Sequence, residues 1–287
     1  MRELDRLREL IARHAGEGLT PTALPGVSVL RATAVTAPLG DVAEPTLAVI
    51  AQGVKETELA GRSLRYGPGQ FLIVPVELPV VGHIAQASPG EPLLAFVLRL
   101  RAEKIAALLA ETTPAATGPV GIGVSAASPA LLDAISRLLA LLDAPGDAAV
   151  LAPGVEREVL WRLITGPQGS LVRQIGLADS RLAHLAHAIS WIRRHYDQTL
   201  RVEDLAALAT MSVTSFHRHF RALTSMTPIQ YQKQIRLHEA RARLLAGPGD
   251  IAGTGFAVGY GSPSQFSREY RRMFGTPPSR DTLTPRP

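Results

Sequence analysis

The sequence predicts an α+β protein with an N-terminal antiparallel β-domain, a helical middle segment and an all-helical C-terminal domain built from two helix-turn-helix units. Three observations predict this order. Short apolar runs separated by glycines and prolines fill residues 22–100. From residue 128 onward the apolar residues recur at helical spacing. After Thr199 a pattern of short helix, tight turn and amphipathic helix occurs twice.

The β-region is predicted from three stretches in which short apolar or alternating runs alternate with turn residues. These are LAVIAQG, SLRYGPGQFLIVPVELPVV and PLLAFVLRL. Several short strands at this spacing indicate a small antiparallel barrel or sandwich. We assign it to a first domain, residues 1–110, and expect GPGQ at 67–70 to form a hairpin turn.

The middle segment, residues 111–178, begins with a connector of small residues, TTPAATGPVGIG, at 112–123. A helix is predicted over 128–145, because Ser128 and Pro129 suit its first positions and Pro145 ends it. A second helix is predicted over 155–166. Their apolar stripes need a partner, which is either the β-domain or a second copy of the chain. We therefore expect a homodimer.

The third domain, residues 179–287, begins with a predicted helix over 179–198 and then contains an internal repeat. SVTSFHRHFRAL (212–223) aligns with SPSQFSREYRRM (262–273) at a constant offset of 50, so that Phe216 meets Phe266. A short helix precedes each, which gives helix-turn-helix units at 202–223 and 250–274. A helix over 228–245, about 27 Å long at 1.5 Å per residue, connects them.

The second amphipathic helix separates its aromatic residues from its arginines. At 100° per residue, Phe266, Tyr270 and Phe274 share one face with Met273, and the arginines lie on the opposite side with Ser264. Ser262 suits the N-cap, Pro263 the first helical position and Gly275 the end of the helix. For a single helix, a solvated basic face would be an adequate explanation.

The charge distribution argues against that explanation. Residues 201–287 contain 12 Lys and Arg against 6 Asp and Glu, a net charge of +6, whereas residues 1–200 have a net charge of −1. Such asymmetry indicates an anionic partner for the C-terminal third. Two basic helices in register, held apart by one helix, suit adjacent major grooves of double-stranded DNA, which recur every ~34 Å.

The C-terminal third resembles the AraC/XylS family of bacterial transcription regulators. VGYGSPSQFSREYRRMFGTPP resembles the signature around that family's second recognition helix, and DLAALATMSVTSFHRHFRALTSMTPIQYQKQIRLHEAR resembles its first unit and connecting helix. The region from IAQGVKETELAGRSLRYGPGQ to VLWRLITGPQGSLVRQI resembles the cupin-like N-terminal domain of one branch. The resemblance implies a regulator of promoter DNA with a small-molecule effector or a dimerising N-terminal domain, and RNA polymerase as a further partner.

The resemblance also implies which residues contact DNA. The residues expected to face base edges are Thr214, His217, Arg218, Ser264, Ser267 and Arg268. The residues further along, expected to contact the phosphate backbone, are Arg221, Arg271 and Arg272. The alternatives are a structural salt bridge for Arg218 and Arg268, and helix initiation for Thr214 and Ser264. On the connecting helix one or two cations are expected on phosphate and the rest in solvent: Lys233, Arg236, Arg241 and Arg243.

Two departures from the family pattern concern the helix-turn-helix backbones. Thr210 stands in the first turn where the family usually has Gly, so the turn must avoid or tolerate a left-handed conformation. Gly253 and Gly255 stand in the second short helix, where each costs about 1 kcal/mol against Ala. We expect the second unit to be the less rigid of the two.

Composition makes other functions less favourable. The chain has no Cys, which excludes thiolate catalysis and Cys-bound zinc. His184 and His187 lack a carboxylate at the next helical position, and His83 is the single His of the β-region. We expect no enzymatic activity, metal or cofactor, a cytoplasmic protein and no membrane span. The alternatives are a metal-dependent cupin enzyme fused to a DNA anchor, and a ligand-free module that dimerises. The sequence assigns no effector-binding residue.

Overall fold

The computed structural model describes residues 2–59, 62–112, 122–178, 180–246 and 250–281. These residues form two compact units, one drawn from 1–39 and 43–184 and the other from 40–42 and 185–287. An N-terminal helix is followed by an antiparallel β-domain and then by a series of helices, with the last strand after the second helix, so the predicted α+β class is confirmed. Of the predicted connector, residues 113–121 lie outside the described residues.

The strands assemble into two sheets. Their bounds are β1 (Gly18–Pro21), β2 (Val27–Ala32), β3 (Leu39–Ala43), β4 (Thr46–Gln52), β5 (Val54–Leu59), β6 (Arg62–Tyr66), β7 (Gln70–Val74), β8 (Leu78–Gln86), β9 (Leu93–Arg99) and β10 (Val124–Ala126). One sheet has the order β1-β2-β9-β4-β7-β10 and the other β3-β8-β5-β6. Every neighbouring pair in the six-stranded sheet is antiparallel.

The centre of the β-domain is strand β9, which lies between β2 and β4. Its sequence LLAFVLR is apolar almost throughout instead of alternating, and Leu93, Phe96 and Leu98 are fully buried. A strand covered on both faces needs apolar side chains at successive positions. The apolar run at the end of the predicted β-region is therefore the core strand.

The glycine turn at 67–70 forms, but it does not close a hairpin. The backbone N–H of Gln70 donates to the carbonyl of Gly67 at 2.9 Å. The strands on either side belong to different sheets, since β6 pairs with β5 and β7 pairs with β4 and β10. The expectation of a hairpin is wrong because the turn carries the chain from one sheet to the other.

The helices before residue 195 are α1 (Arg2–His14), α2 (Ala102–Glu111), α3 (Pro129–Ala140), α4 (Pro145–Ile164), α5 (Gly169–Gly176) and α6 (Arg181–Arg194). The helix predicted over 128–145 corresponds to α3 followed by a 3-10 turn, Leu141–Asp143. Pro145 then begins α4, which starts ten residues before the predicted helix at 155–166. Proline suits a first helical position, where its missing N–H removes no helical hydrogen bond.

The remaining helices are α7 (Val202–Leu208), α8 (Val213–Thr224), α9 (Pro228–Ala246), α10 (Ile251–Ala257), α11 (Pro263–Phe274) and α12 (Pro278–Asp281). Each predicted helix of the repeat is found within one or two residues of its expected bounds. None of the described helices combines the length and the apolar character needed to cross a bilayer.

Candidate nucleic-acid interface

The first repeat presents α8 on a buried aromatic base. The Ser212 hydroxyl accepts a hydrogen bond of 3.3 Å from the backbone N–H of Ser215, which fixes the start of the helix. Phe216 and Phe220 are fully buried, and the ring of Phe220 meets that of Tyr231 on α9 edge to face at 5.6 Å. Because these rings occupy the inner face of α8, the opposite face is directed to solvent.

The second repeat presents α11 in the same way. Ser262 caps it through the Gln265 N–H at 3.5 Å, and Gly275, at φ +76°, ends it. Phe266 and Tyr270 are fully buried in a cluster with Leu237 and Val258. The predicted two-faced character of this helix is confirmed.

The outer faces of both helices carry the residues assigned to DNA. The exposed ones are Thr214, His217, Arg218, Arg221, Ser264, Arg268, Arg271 and Arg272, and Ser267 is half-buried. The guanidinium of Arg218 lies 3.3 Å from the ring nitrogen of its neighbour His219. Contact of these residues with DNA stays a prediction.

The cations of the connecting helix α9 are engaged within the protein. Lys233 donates to Glu269 at 2.8 Å, and Arg241 pairs with Asp281 at 2.9 Å. Arg243 donates to Glu239 at 3.0 Å. Arg241 is only 20% exposed, so it departs from the expectation of a solvated cation, whereas Lys233 and Arg243 are paired but stay 38% and 42% exposed.

Arg236, in the middle of α9, binds three backbone carbonyls from two other segments of the chain. Its guanidinium donates to the carbonyls of Tyr196, Gln198 and Gly259, the last at 2.8 Å. Burial lowers the pKa of Arg236 below its ordinary value, while nearby acidic and phenolic groups act in the opposite direction. This side chain fixes the second helix-turn-helix turn against α9 and the residues after α6.

Two acidic residues that the sequence analysis did not single out position α11. Glu269 accepts from Lys233, Tyr260 and Gln265 at 2.8–3.2 Å. Asp281 is buried and binds Tyr270 and Arg241. The sequence signal for Glu269 was its position as a carboxylate within the otherwise basic helix α11. A carboxylate is unusual on a surface that only contacts an anion.

The turns of the two repeats both use a left-handed backbone. Thr210 has φ +52° and Gly259 has φ +91°. A Cβ on Gly259 would lie 2.3 Å from the carbonyl oxygen of Asp197, so only glycine fits there. Thr210 adopts a left-handed conformation that costs a non-glycine residue roughly 1–2 kcal/mol.

The glycines of α10 have local roles. A Cβ on Gly255 would lie 3.0–3.3 Å from Phe266, so its absence lets α10 and α11 pack closely. The N–H of Gly253 donates at 2.9 Å to Asp250, whose carboxylate caps α10. Their helix-propensity cost is thus offset in part by packing and capping.

In the described part of the chain, no group of three or more His, Asp or Glu side chains is placed to hold a metal ion. In the β-region, the Nε2 atom of His83 lies 3.8 Å from a carboxylate oxygen of Glu56.

Comparisons with known proteins agree with this geometry. The family described as AraC-type transcriptional regulator N-terminus matches residues 23–171, and a helix-turn-helix domain family matches residues 205–282. The transcriptional activator RhaS of Klebsiella pneumoniae is 27% identical over 150 residues, which cover 52% of this chain and 53% of RhaS. RhaS of Escherichia fergusonii is 28% identical over 149 residues. The chain spans about half the length of these curated relatives.

Solved structures similar to the whole chain share its fold. ToxT from Vibrio cholerae strain SCE256, with a bound unsaturated fatty acid, has a TM-score of 0.56 at 10% identity and covers 90% of this chain and 94% of its own. ToxT from Vibrio cholerae O395 has a TM-score of 0.53 at 10% identity.

Proposed function

The chain belongs to the AraC-type transcriptional regulators, and we propose that it is a sequence-specific DNA-binding regulator that acts at promoters. The observation that carries the proposal is the repeat itself. Two helices are capped by Ser and anchored by two buried aromatics each, and they present Arg218 and Arg268 at equivalent exposed positions. The proposal assigns no catalytic chemistry to the chain.

In this mechanism α8 and α11 enter successive major grooves on one face of the duplex. They are joined by α9, whose 19 residues span roughly 28 Å, compared with a major-groove repeat of ~34 Å. Arg218 lies in the middle of α8 and Arg268 in the middle of α11, where a guanidinium can pair with guanine O6 and N7. Arg221, Arg271 and Arg272 lie one turn further along and neutralise phosphates.

Titration of full-length protein against promoter-length duplex DNA at increasing salt tests this function. We expect binding that weakens steeply with salt, because each neutralised phosphate contributes a log–log slope of about −0.9. A folded protein that binds no duplex at low salt would remove the proposal. Metal content measured on the same sample addresses the alternative of a metal-dependent enzyme.

We assign residues 1–110 to effector sensing, 111–178 to dimerisation and 179–287 to DNA binding. Support for a homodimer comes from α4, where Val150 and Leu151 are 76% and 51% exposed. Large exposed apolar side chains of this kind often mark protein interfaces. Sedimentation of the full-length protein is expected to give a concentration-dependent dimer, and a strict monomer at high concentration would contradict this part.

RNA polymerase is the proposed protein partner of the promoter-bound form. In the DNA-binding unit Phe256 is 55% exposed and Ile229 is 51% exposed, away from the buried aromatic cluster. Transcription from a bound promoter with Phe256→Ala tests this contact. We expect reduced activation with unchanged DNA affinity, and unchanged activation would oppose it.

A further inference from the structure

A cavity of about 370 Å³ lies in the first unit, between α4, the start of α2 and the turn that joins β1 to β2. Pro145, Ala148, Ala149 and Ala152 recur at spacings of three and four on one face of α4 and line it. Because these side chains are small, they leave open space where a Leu or Phe would fill it. Leu24 and two leucines of the 3-10 turn make the facing wall apolar. A volume of this size is typical of small-molecule sites.

One end of the cavity is charged. Arg101 and Lys104, at the start of α2, line it together with Glu156 of α4. Lys104 donates a short hydrogen bond to Glu156, so these two charges satisfy each other. Arg101 approaches Glu156 at 3.8 Å, beyond hydrogen-bond distance, and its Nε is buried without a partner among the described residues. The charged residues of the lining therefore have a net charge of +1.

The position of Arg101 adds to this preference for an anion. It is the N-cap residue of the ten-residue helix α2, and its side chain makes no capping hydrogen bond. The first N–H groups of a helix and its dipole favour negative charge at that end. The Arg101 side chain is 34% exposed, but its Nε is buried without a partner among the described residues, and such a donor costs free energy that a ligand acceptor would recover.

We propose that this cavity binds a small organic monocarboxylate with an apolar body. The carboxylate lies on Arg101 and the start of α2, and the apolar body packs on the alanine face of α4. A single net positive charge matches one carboxylate, whereas a phosphate dianion would bring more charge than the lining neutralises. As an effector site, the cavity deepens the sensing role proposed above.

The experiment is calorimetric titration of the full-length protein, without DNA, with hexanoate and with hexan-1-ol as its neutral counterpart. We expect hexanoate to bind at least about tenfold more tightly than hexan-1-ol, since a charge-assisted hydrogen bond contributes that much. Inorganic phosphate is expected not to displace hexanoate. Because no DNA is present, the outcome is independent of whether the chain binds promoters.

Three variants locate the site. Arg101→Gln is expected to reduce hexanoate affinity to the level of hexan-1-ol, and Ala152→Phe to abolish binding of both by filling the cavity. If Ala152→Phe unfolds the protein, Ala149→Leu narrows the same space from an exposed position. The control is Arg99→Gln, two residues away, whose side chain is 60% exposed and paired with Glu44; it should leave hexanoate binding unchanged.

Several outcomes would overturn the proposal. Equal affinity for hexanoate and hexan-1-ol would show that no charge recognition occurs. Undiminished hexanoate binding by folded Arg101→Gln or by a folded cavity-filling variant would place the ligand elsewhere. If neither hexanoate nor benzoate binds at millimolar concentration, the cavity does not bind the proposed class of ligand.

Discussion

The phenolic hydroxyl of Tyr270 donates a hydrogen bond of 2.7 Å to the buried carboxylate of Asp281. Asp281 also pairs with Arg241, so it attaches the second recognition helix α11 to the connecting helix α9. Burial and the carboxylate raise the pKa of Tyr270 above its ordinary value, which keeps the hydroxyl protonated as a donor. The first repeat has Phe220 at the equivalent position, which cannot make this bond.

Asp281→Asn is expected to destabilise the packing of α11 on α9 by about 2–4 kcal/mol, because it leaves the Arg241 charge partly buried without its partner. Hydrogen exchange of the α11 amides measures the loss. Glu239→Gln is the control, since it removes an exposed pair with Arg243 that contributes about 0.5 kcal/mol. Equal protection in the two variants would mean that Asp281 does not hold the helix.

Thr210→Gly is expected to stabilise the first helix-turn-helix unit by up to about 1 kcal/mol. The left-handed backbone at φ +52° costs Thr more than Gly, and the greater unfolded-state entropy of Gly offsets part of this gain. Urea unfolding of the full-length protein, monitored by exchange of the α8 amides, gives the change. Gly259→Ala should have the opposite sign, because its Cβ has no space. A loss of stability in Thr210→Gly would contradict the interpretation.

Acidification is expected to weaken the attachment made by Glu269. Burial raises the pKa of Glu269, but hydrogen bonds from Lys233, Gln265 and Tyr260 outweigh burial and hold the pKa below its ordinary value of 4.5. A carboxyl with a lowered folded pKa adds stability that is present above its unfolded pKa and is lost as the pH falls through the folded pKa. The stability difference between wild type and Glu269→Gln should therefore be largest near neutral pH.

Urea unfolding at a series of pH values measures that difference. It should shrink as the pH falls below about 4.5 and vanish once Glu269 is protonated in both states. A difference that does not vary with pH would show that the Glu269 charge contributes nothing to the packing of α11.

Arg272→Ala is expected to weaken binding to all duplex sequences alike and to flatten the log–log salt slope by about one unit, because it removes one phosphate contact. Arg243→Ala is the matched control: Arg243 of the connecting helix is also exposed, but it is paired with Glu239 and with Tyr196, which follows α6. Fluorescence anisotropy across a salt series gives both slopes. If the two variants change the slope equally, the basic face of α11 has no special role.

The helices of the repeat could be predicted closely because their signals are local. A Ser cap, two aromatics four residues apart and a terminal Gly define α11 within a dozen residues. The start of α4 was missed because Pro145 suits both the end of one helix and the start of the next. Strand order could not be predicted, since β2 pairs with β9 from a distant part of the sequence.

In the candidate site, too, some features could be predicted from the sequence and others could not. Exposure of Arg218 and Arg268 follows from the aromatic residues on the opposite face of each helix, and the structure confirms it. The engagement of Lys233 and Arg241 could not be predicted, because their partners Glu269 and Asp281 lie about 40 residues away and meet α9 only after folding. Helical periodicity gives the face of a residue, not its partner on another helix.

Selection of binding sites from randomised duplex DNA, by wild type, Arg218→Ala and Arg268→Ala, tests most directly whether the two helices read sequence. We predict two base preferences about 10 bp apart in the wild type, one of which each variant loses. The specific affinity should fall by about 1–3 kcal/mol in each variant. Retention of both wild-type preferences by both variants would contradict major-groove reading by these helices.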